Sequence, residues 1–298
     1  MPFAHFLLAL LVVLVWGLNF LFVKLSLEEV SPLLLCALRF ILASVPAIFF
    51  IKPPSGISFR LVAWYGIVTF AMQFSFLFMG LYAGMTPGMA SIVMQVQVFF
   101  SLFFSVIFLG ERPKVAEISG AVISFMGILL IAMNVEKNNS FLGFMFILAA
   151  AASWGVGNLI SKKIQNNSAQ NMFALVIWGS FIAFIPIFML SLLFEGPSRM
   201  MYTFEHITWV GGSSLLYTVY ASTLVGYGVW NWLLSRYPVG VIVPLTLLVP
   251  IVGVISSTIV LGESFGMWKL LAGLLVMGGL SINLFSSYLI SHRAVSAV

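Results

Sequence analysis

Stretches of about 20 consecutive apolar residues, the length of helix that crosses the hydrocarbon layer of a membrane, recur from one end of this chain to the other. The 298 residues are 62% hydrophobic and only 7% charged, whereas a soluble domain carries about 25% charged residues. A surface with so few charges cannot face water on every side. The sequence therefore predicts an all-α polytopic membrane protein without a separate globular domain.

Ten apolar stretches are predicted to span the membrane as helices joined by short polar links. The links at Ser31-Pro32 and Thr86-Pro87 are typical of helix starts, with a hydroxyl residue before a proline at the first helical position. The first stretch lacks the basic segment and the small-residue cleavage site of a signal peptide, so we expect it to be retained. The predicted spans are 5–25, 32–51, 60–82, 87–109, 115–134, 141–162, 171–194, 208–233, 239–260 and 266–290.

The distribution of basic residues predicts the orientation of the chain in the membrane. If the N-terminus is cytoplasmic, the inner loops and the tail hold eight Lys and Arg residues and the outer loops hold four. Cytoplasmic loops of membrane proteins carry the excess of positive charge. We therefore expect both termini in the cytoplasm. The basic residues are scattered through short loops, so we expect no nucleic-acid partner.

One motif after predicted span 4 returns after predicted span 9. Leu109-Gly110-Glu111 matches Leu261-Gly262-Glu263, which lies 152 residues later. Spans 1–5 therefore correspond to spans 6–10, in a first repeat of residues 1–137 and a second repeat of residues 138–298. Because five is an odd number, the second copy must cross the membrane upside down relative to the first. Such inverted repeats are typical of secondary transporters, which bind their substrate near the midplane between the repeats.

An indole and an amide share a helix face in each predicted repeat. Trp16 and Asn19 are three residues apart in span 1, and Trp154 and Asn158 are four residues apart in span 6. The two indoles lie in mid-span, not at the interfacial aromatic belts. Their N–H groups need an acceptor, which a cavity or the nearby amides supply. We expect these four residues to bind the substrate.

With these features, the chain resembles the EamA family of the drug/metabolite transporter superfamily. The resemblance rests on the ten spans, the inverted repeat, Trp16-Gly17-x-x-Phe20 and the two Leu-Gly-Glu motifs, and it covers nearly the whole chain. Stretches such as Leu38-Arg39-Phe40 and Leu247-Leu248-Val249-Pro250 are similar to the bacterial members that export cysteine and O-acetylserine. The resemblance implies export of small amino acids or related metabolites across a bacterial inner membrane by alternating access of the two repeats.

Arg39 is a charged residue inside predicted span 2, roughly 10 Å below its outer end at 1.5 Å per residue. A charge near the bilayer centre costs at least about 2.5–3.5 kcal/mol, so it requires an explanation. One hypothesis is that Arg39 pairs with a substrate carboxylate in the bidentate geometry that guanidinium favours. The alternative is a structural arginine that binds helix carbonyls or extends to the membrane surface.

Amides in the middle of predicted spans 3 and 4 are further candidates. An uncovered amide in hydrocarbon costs several kcal/mol, so Gln73, Gln95 and Gln97 must face partners or water. Gln95 and Gln97 lie about 200° apart on a regular helix, so we expect Gln95 to face the cavity and Gln97 to bond a neighbouring helix. Structural bonding between helices remains an equal alternative for each.

Predicted span 8 carries Tyr217, Tyr220, Tyr227 and Asn231 on one helical face. Phenol and amide groups along a wall suit a small zwitterion, and Tyr217 and Tyr220 lie nearer the middle of the span. We therefore select Tyr217 and Tyr220 as substrate-binding candidates and interpret the lower pair as aromatic packing.

Span 9 contains Pro244 and Pro250, each of which removes a helical hydrogen bond and frees the carbonyl four residues earlier. The freed carbonyls either receive an ammonium group or accompany a bend during transport. A static kink is an equal alternative.

The residues that the sequence lacks exclude several classes of function. There is no Asp, every Glu lies in a loop or near a span end, and none of the three His is deep in a span. We therefore expect facilitated diffusion or exchange, with a proton-coupled antiporter as the alternative. The sequence has no nucleophile with a base and no Gly-Lys-Ser/Thr motif, and Cys36 is its single cysteine. We therefore expect no enzyme activity, no cofactor, no metal ion and no disulfide.

The expected partners are a small zwitterionic molecule and the lipid bilayer, and a homodimer is a further candidate. Two alternative functions remain. A carrier of nucleotide sugars or sugar phosphates would want more cavity cations than Arg39 and Lys24. A membrane receptor or scaffold would leave the inverted repeat unexplained.

Overall fold

The computed structural model describes residues 1–110, 112–138, 141–167, 172–234, 236–237, 242–264 and 266–295. These residues are helical apart from the links between helices, and no strand occurs among them. The helices are α1 (Phe3–Ser26), α2 (Pro32–Ser44), α3 (Phe59–Tyr82), α4 (Pro87–Leu109), α5 (Val115–Asn138), α6 (Phe141–Asn167), α7 (Met172–Phe194), α8 (Pro197–His206), α9 (209–234), α10 (Val249–Leu261) and α11 (Met267–Val295).

Seven helices, α1–α7, are long and apolar enough to cross a membrane, with α2 extended by a 3₁₀ turn at Ala47–Phe49. They coincide with the first seven predicted spans. Two shorter apolar helices, Leu245–Leu261 and Met267–Asn283, lie in predicted spans 9 and 10, and α9 lies in predicted span 8. The prediction of an all-α polytopic membrane protein is therefore confirmed. The number of ten spans, their inverted relation and the side of the termini stay predictions.

The longest predicted loop contains an additional helix. The predicted spans leave residues 195–207 as a link, but Pro197 begins α8 there, directly after Gly196 at φ 82°. Proline suits the first helical position because its fixed φ is helical and its missing N–H would have no partner there. The helix ends at His206, before α9 begins at Trp209. The link between α7 and α9 is thus ordered by a helix of ten residues.

Departures from regular α-helix occur at equivalent places in the two predicted repeats. A π-helical segment lies at Gly66–Met72 in α3 and another at Tyr217–Gly226 in α9. The helix α4 is broken after Met94, and a 3₁₀ segment at Val243–Leu248 precedes α10. Both α4 and α10 end at a glycine with φ 65°, Gly110 and Gly262. A left-handed glycine after the last turn is a common helix ending.

The packing of the helices shows the same correspondence. The helix α5 packs along α11, and α2 packs along α7. The helix α6 lies against α3 and α4, whereas α1 lies against α9 and α10. The glycine after each motif tryptophan is a point of close approach: a Cβ on Gly17 would overlap Val252 of α10, and a Cβ on Gly155 would overlap Phe100 of α4. The helices α1 and α6 therefore occupy matching central positions.

The outer faces of the bundle are apolar. On α5, the exposed side chains include Val122, Phe125, Met126, Leu129 and Met133. They recur at intervals of three and four residues, so they form one stripe along the helix. A stripe of this length on a soluble protein would be an interaction surface, and on a membrane protein it faces the lipid chains.

The contact between α5 and α11 depends on glycine. A Cβ on Gly279 would overlap the carbonyl oxygen of Gly120, and the Ser124 hydroxyl donates to the Val276 carbonyl across the same contact at 2.9 Å. Around the neighbouring Gly278 there is open space. Small residues at such contacts allow helix backbones to approach closely in membranes.

We expect Gly279→Ala to destabilise the protein by about 1–3 kcal/mol, since the added methyl group overpacks the contact between α5 and α11. The measurement is the thermal unfolding midpoint of the purified protein in detergent. Gly278→Ala is the matched control, because it makes the same change of helix propensity one residue away without a clash. Equal midpoints for the two variants would contradict the packing that the structure shows.

Candidate substrate cavity

A cavity of about 360 Å³ lies among α1, α2, α3, α4, α6, α9 and α10. Apolar side chains such as Phe20, Leu77 and Met94 form part of its wall. Its polar lining combines side chains from both predicted repeats. The predicted site residues that line it are Trp16, Asn19, Arg39, Gln73, Gln95, Trp154 and Asn158.

Arg39 projects from α2 and is only 1% exposed. Its Nε donates to the Thr223 hydroxyl of α9 at 3.0 Å, and its guanidinium carbon lies 4.3 Å from the centre of the Phe74 ring. The rings of Phe40 and Phe78 lie at 5.8 and 5.9 Å. A cation over the face of an aromatic ring is attracted by the ring's quadrupole. This arrangement differs from both structural forms that the sequence suggested, a carbonyl-bound arginine and one that extends to the surface.

The other side of the guanidinium faces the cavity without a protein partner. Arg39 Nη1 is buried and has no hydrogen bond to the described residues. Leaving a buried charged donor unpaired costs more than the 1–3 kcal/mol typical of a neutral group. The structure thus places a buried, unpaired N–H group of a charged side chain beside the cavity that Arg39 lines.

Three further residues that line the cavity each carry an unpaired oxygen atom. These atoms are Asn19 Oδ1, Gln73 Oε1 and Thr69 Oγ1, and each is buried without a hydrogen-bond partner among the described residues. Thr69 and Gln73 are four residues apart on α3, so they share a face of that helix. Because buried polar groups are nearly always paired in native proteins, this concentration indicates that a ligand or water occupies the cavity.

The two glutamines of α4 both line the cavity, which the sequence prediction had excluded. The backbone N–H groups of Gln95, Val96, Val98 and Phe99 all bond to the carbonyl three residues earlier, so the chain makes 3₁₀-type turns here. Residues two apart then lie about 120° apart around the axis by the shorter way. On a regular α-helix they lie about 200° apart, which is about 160° by the shorter way. The expectation that only one of them faces the cavity is therefore wrong, because it assumed an unbroken helix.

Asn158 of α6 connects the amides of the two predicted repeats. Its Nδ2 donates to Gln97 Oε1 at 2.6 Å and to the Ser101 hydroxyl at 2.9 Å. Gln97 thus bonds a neighbouring helix, as expected for one of the two glutamines. Gln95, the expected cavity member, is 6% exposed and lines the cavity.

The central indole of Trp16 is held by α9. Its Nε1 donates to the Ser222 carbonyl at 3.1 Å, and its ring lies 5.4 Å from that of Tyr227 and 5.2 Å from that of Trp230. Ser222 belongs to the π-helical segment of α9, and such segments often occur at functional sites. The acceptor of this indole is therefore a backbone carbonyl, not the neighbouring amide Asn19.

Tyr217 and Tyr220 lie away from the cavity. The Tyr217 ring stacks on Phe22 at 3.9 Å and its hydroxyl donates to the Val15 carbonyl at 3.0 Å, whereas Tyr220 is 47% exposed. A π-helix bonds residue i to i+5 and turns less per residue than an α-helix, so the shared face predicted for span 8 is lost across 217–226. Tyr227, interpreted from the sequence as packing, lines the cavity instead. The side chain of Asn231 lies outside the described residues.

The prolines of predicted span 9 mark the start of α10. Pro250 is buried in the first turn of this helix, and the preceding residues Val243–Leu248 form the 3₁₀ segment. The Thr246 carbonyl, which Pro250 was expected to free, accepts from the Val249 N–H instead, and Thr246 lines the cavity. The side chain of Pro244 and all of Gly240 lie outside the described residues. The binding and bending functions of both prolines stay predictions.

A polar cavity enclosed by apolar helices in mid-bundle defines a class, the membrane proteins that carry small polar solutes through the bilayer. Sequence comparison identifies the family. The model of the EamA-like transporter family matches the chain twice, at residues 4–133 and 141–285. The chain belongs to this family, which confirms the resemblance drawn from its motifs, and it is a multi-pass membrane transporter.

Two curated relatives cover nearly the whole chain. One, from Escherichia coli strain K12, is named "Probable amino-acid metabolite efflux pump"; it is 40% identical over 281 residues, which are 93% of this chain and 94% of that protein. The relative of the same name from Salmonella typhimurium is 39% identical over 282 residues, with the same coverage. Transporter names fit the prediction that the chain is not an enzyme. A solved crystal structure has the same fold, with a TM-score of 0.63, 18% identity and 99% of both chains covered.

We expect Thr223→Val to destabilise the protein by about 1.5–3 kcal/mol, because the substitution removes the acceptor of Arg39 Nε and leaves a second buried N–H of the guanidinium unpaired. The measurement is again thermal unfolding in detergent. Thr218→Val is the control: both hydroxyls are fully buried in the same π-helical segment and donate to a carbonyl of their own helix at 2.8 Å. Equal losses of stability in the two variants would show that the bond to Arg39 contributes nothing.

Proposed function

We propose that the protein exports small amino acids or closely related zwitterionic metabolites across a bacterial inner membrane. One observation carries this proposal: Arg39, Asn19 and Gln73 line one cavity, and each has a buried side-chain nitrogen or oxygen without a hydrogen-bond partner among the described residues. The names of the Escherichia coli and Salmonella typhimurium relatives support the same substrate class and the direction of export.

In the proposed binding mode, one end of the amino acid contacts a cationic group and the other end contacts hydrogen-bond acceptors. The substrate carboxylate pairs with the guanidinium of Arg39, in the charge-assisted geometry that makes such bonds short and strong. The ammonium group donates to the oxygens of Asn19, Gln73 and Thr69. The cavity volume of about 360 Å³ lies near the lower end of the range for ligand pockets, which suits a small solute.

The electrostatics of the cavity favour a zwitterion over a solute that carries several negative charges. Among the described residues that line it, Arg39 is the one charged residue. A substrate that brings one negative and one positive charge leaves the occupied cavity with the same net charge as the empty one. A sugar phosphate or nucleotide sugar carries several negative charges, and a single guanidinium offsets only part of them. The carrier of nucleotide sugars is therefore the weaker hypothesis.

We propose further that the transporter consists of two five-helix repeats, residues 1–137 and 138–298, which are inverted relative to each other. Two matches to one family model support the duplication. The paired π-helical segments and the matching positions of α1 and α6 also support it. In this proposal, the repeats rock about the central cavity and expose it to one side of the membrane at a time.

The transport mode that we propose is facilitated diffusion or exchange. Among the described residues that line the cavity there is no Asp, Glu or His, and proton-coupled carriers often place such a group in the membrane interior. A proton-coupled antiporter remains the alternative mode. Both termini in the cytoplasm and assembly as a homodimer stay predictions.

We expect Arg39→Gln to reduce amino-acid counterflow roughly 10- to 100-fold, because the substrate carboxylate loses its charged partner and an ionic hydrogen bond is worth about 1.5–3 kcal/mol. The assay uses purified protein in liposomes preloaded with unlabelled cysteine, O-acetylserine, serine or alanine. Uptake of the labelled amino acid is then measured. Arg39→Lys keeps the charge but not the planar fork, so an intermediate loss is expected.

Arg60→Gln is the matched control for this assay, since Arg60 is exposed at the start of α3 and lies outside the cavity. It should keep the wild-type rate. Counterflow at the wild-type rate in Arg39→Gln would exclude pairing of Arg39 with the carboxylate. Absence of counterflow with every amino acid in the wild type would refute the substrate class.

A further inference from the structure

Three glutamates at one end of the molecule bind the starts of helices from the other repeat. Glu195, at the end of α7, is the first. Its Oε1 accepts from the backbone N–H of Leu33 at 2.8 Å and its Oε2 accepts from that of Leu34 at 2.9 Å. These are the first free N–H groups of α2. The Ser191 hydroxyl also donates to the carboxylate, at 2.6 Å.

Glu29, in the link between α1 and α2, binds the start of α9 in the same way. Its Oε2 accepts from the backbone N–H of Thr208 at 2.7 Å, and its Oε1 accepts from the Thr208 hydroxyl at 2.6 Å. Thr208 is the residue that caps α9 by accepting from the Val210 N–H at 3.2 Å. The carboxylate therefore holds the helix cap of the opposite repeat.

Glu263, in the second Leu-Gly-Glu motif, binds the start of α4. Its Oε2 accepts from the Gly88 N–H at 3.3 Å, and the Thr86 hydroxyl donates to its Oε1. Lys269 of α11 forms an ion pair with the same carboxylate at 3.1 Å. Its counterpart Glu111 lies outside the described residues.

All three contacts join the two repeats. Each pairs a residue within 4–133 with a residue within 141–285, the two segments that match the family model. By contrast, Glu117 accepts from the Lys114 N–H within the first repeat. At the opposite end, the polar contacts between the repeats include His5 with Tyr237 and Trp178 with the Ile51 carbonyl, and neither of these two involves a carboxylate.

We infer that Glu29, Glu195 and Glu263 are gate latches, which hold the two repeats together at this end of the molecule. A negative charge at a helix N-terminus is stabilised by the free N–H groups and the helix dipole. If the repeats rock, the starts of α2, α4 and α9 must leave these carboxylates before the end can open. This inference rests on the alternating access proposed above, and the predicted orientation places the latched end outside.

The position of the contacts explains why they can open and close. They lie at helix ends beside the loops, where Glu29 and Glu195 are half-buried. Water can therefore replace the carboxylates of Glu29 and Glu195 at the N–H groups when the repeats separate. The more deeply buried Glu263 carboxylate keeps its ion pair with Lys269. A similar set of bonds in mid-membrane would resist opening because nothing there could replace it.

The test measures access to the cavity from each side of the membrane. Cys36, the single cysteine, is buried and is first replaced by Ala. Leu77→Cys then places a thiol on the cavity wall in α3, five residues before Tyr82 at the latched end. Vesicles of both orientations are labelled with a membrane-impermeant maleimide. Glu29→Gln, Glu195→Gln and Glu263→Gln are each added to the protein that carries Cys36→Ala and Leu77→Cys. The labelling rate of each variant is compared with that of this protein.

We expect each variant to be labelled about fivefold faster or more from the latched side and more slowly from the opposite side, since a weaker latch shifts the population toward the state open at the latched side. Glu117→Gln is the control and should change neither rate. Unchanged rates in all three variants, or the same shift in Glu117→Gln, would overturn the inference. Faster labelling from both sides would overturn it too, because the carboxylates would then stabilise the fold and not one end.

Labelling needs no substrate, so its outcome is separate from that of the counterflow assay. A reciprocal shift of the labelling rates together with absent amino-acid counterflow would refute the proposed substrate and leave the latches in place. Normal amino-acid counterflow together with unchanged labelling rates would support the proposed substrate and refute the latches.

Discussion

The interaction on which the cavity depends is the burial of the Arg39 guanidinium between the Phe74 ring and the Thr223 hydroxyl. A charge inside an apolar bundle is costly, and a cation–π contact with one hydrogen bond offsets only part of that cost. Arg39 Nη1 and the side-chain oxygens of Asn19 and Gln73, three residues that line the same cavity, lack partners among the described residues. In the proposed function, these groups are complementary to the two ends of an amino acid, so their cost in the empty protein would become selectivity for a zwitterion.

Irregular helices place the polar groups around this charge. The π-helical segment of α9 brings Thr223 to Arg39 and the Ser222 carbonyl to Trp16, and the 3₁₀ turns of α4 direct both glutamines into the cavity. Non-helical backbone is tolerated at membrane depth where it is covered by protein or lines a cavity. The same irregularities in α3 and before α10 indicate that the cavity walls follow one plan in both halves of the chain.

Much of this could be predicted from the sequence, because length and hydropathy determine which segments cross a bilayer. Seven spans were predicted at their observed positions, and mid-span charge and amides identified Arg39, Asn19 and Gln73 as cavity residues. The choice of Tyr217 and Tyr220 over Tyr227 failed because the shared face was drawn on a regular α-helix, whereas Tyr217–Gly226 is π-helical. The hydrogen bonds of Glu29, Glu195 and Glu263 were not foreseen either, since their partners lie more than 160 residues away in the chain.

The measurement that tests the central claim most directly is an experimental structure of the transporter with a bound amino acid from the counterflow panel. The account predicts that the substrate carboxylate lies within about 3 Å of the Arg39 guanidinium and that its ammonium group contacts the side-chain oxygens of Asn19 or Gln73. A substrate bound elsewhere, or one in this cavity whose ammonium group and not its carboxylate faces Arg39, would contradict it.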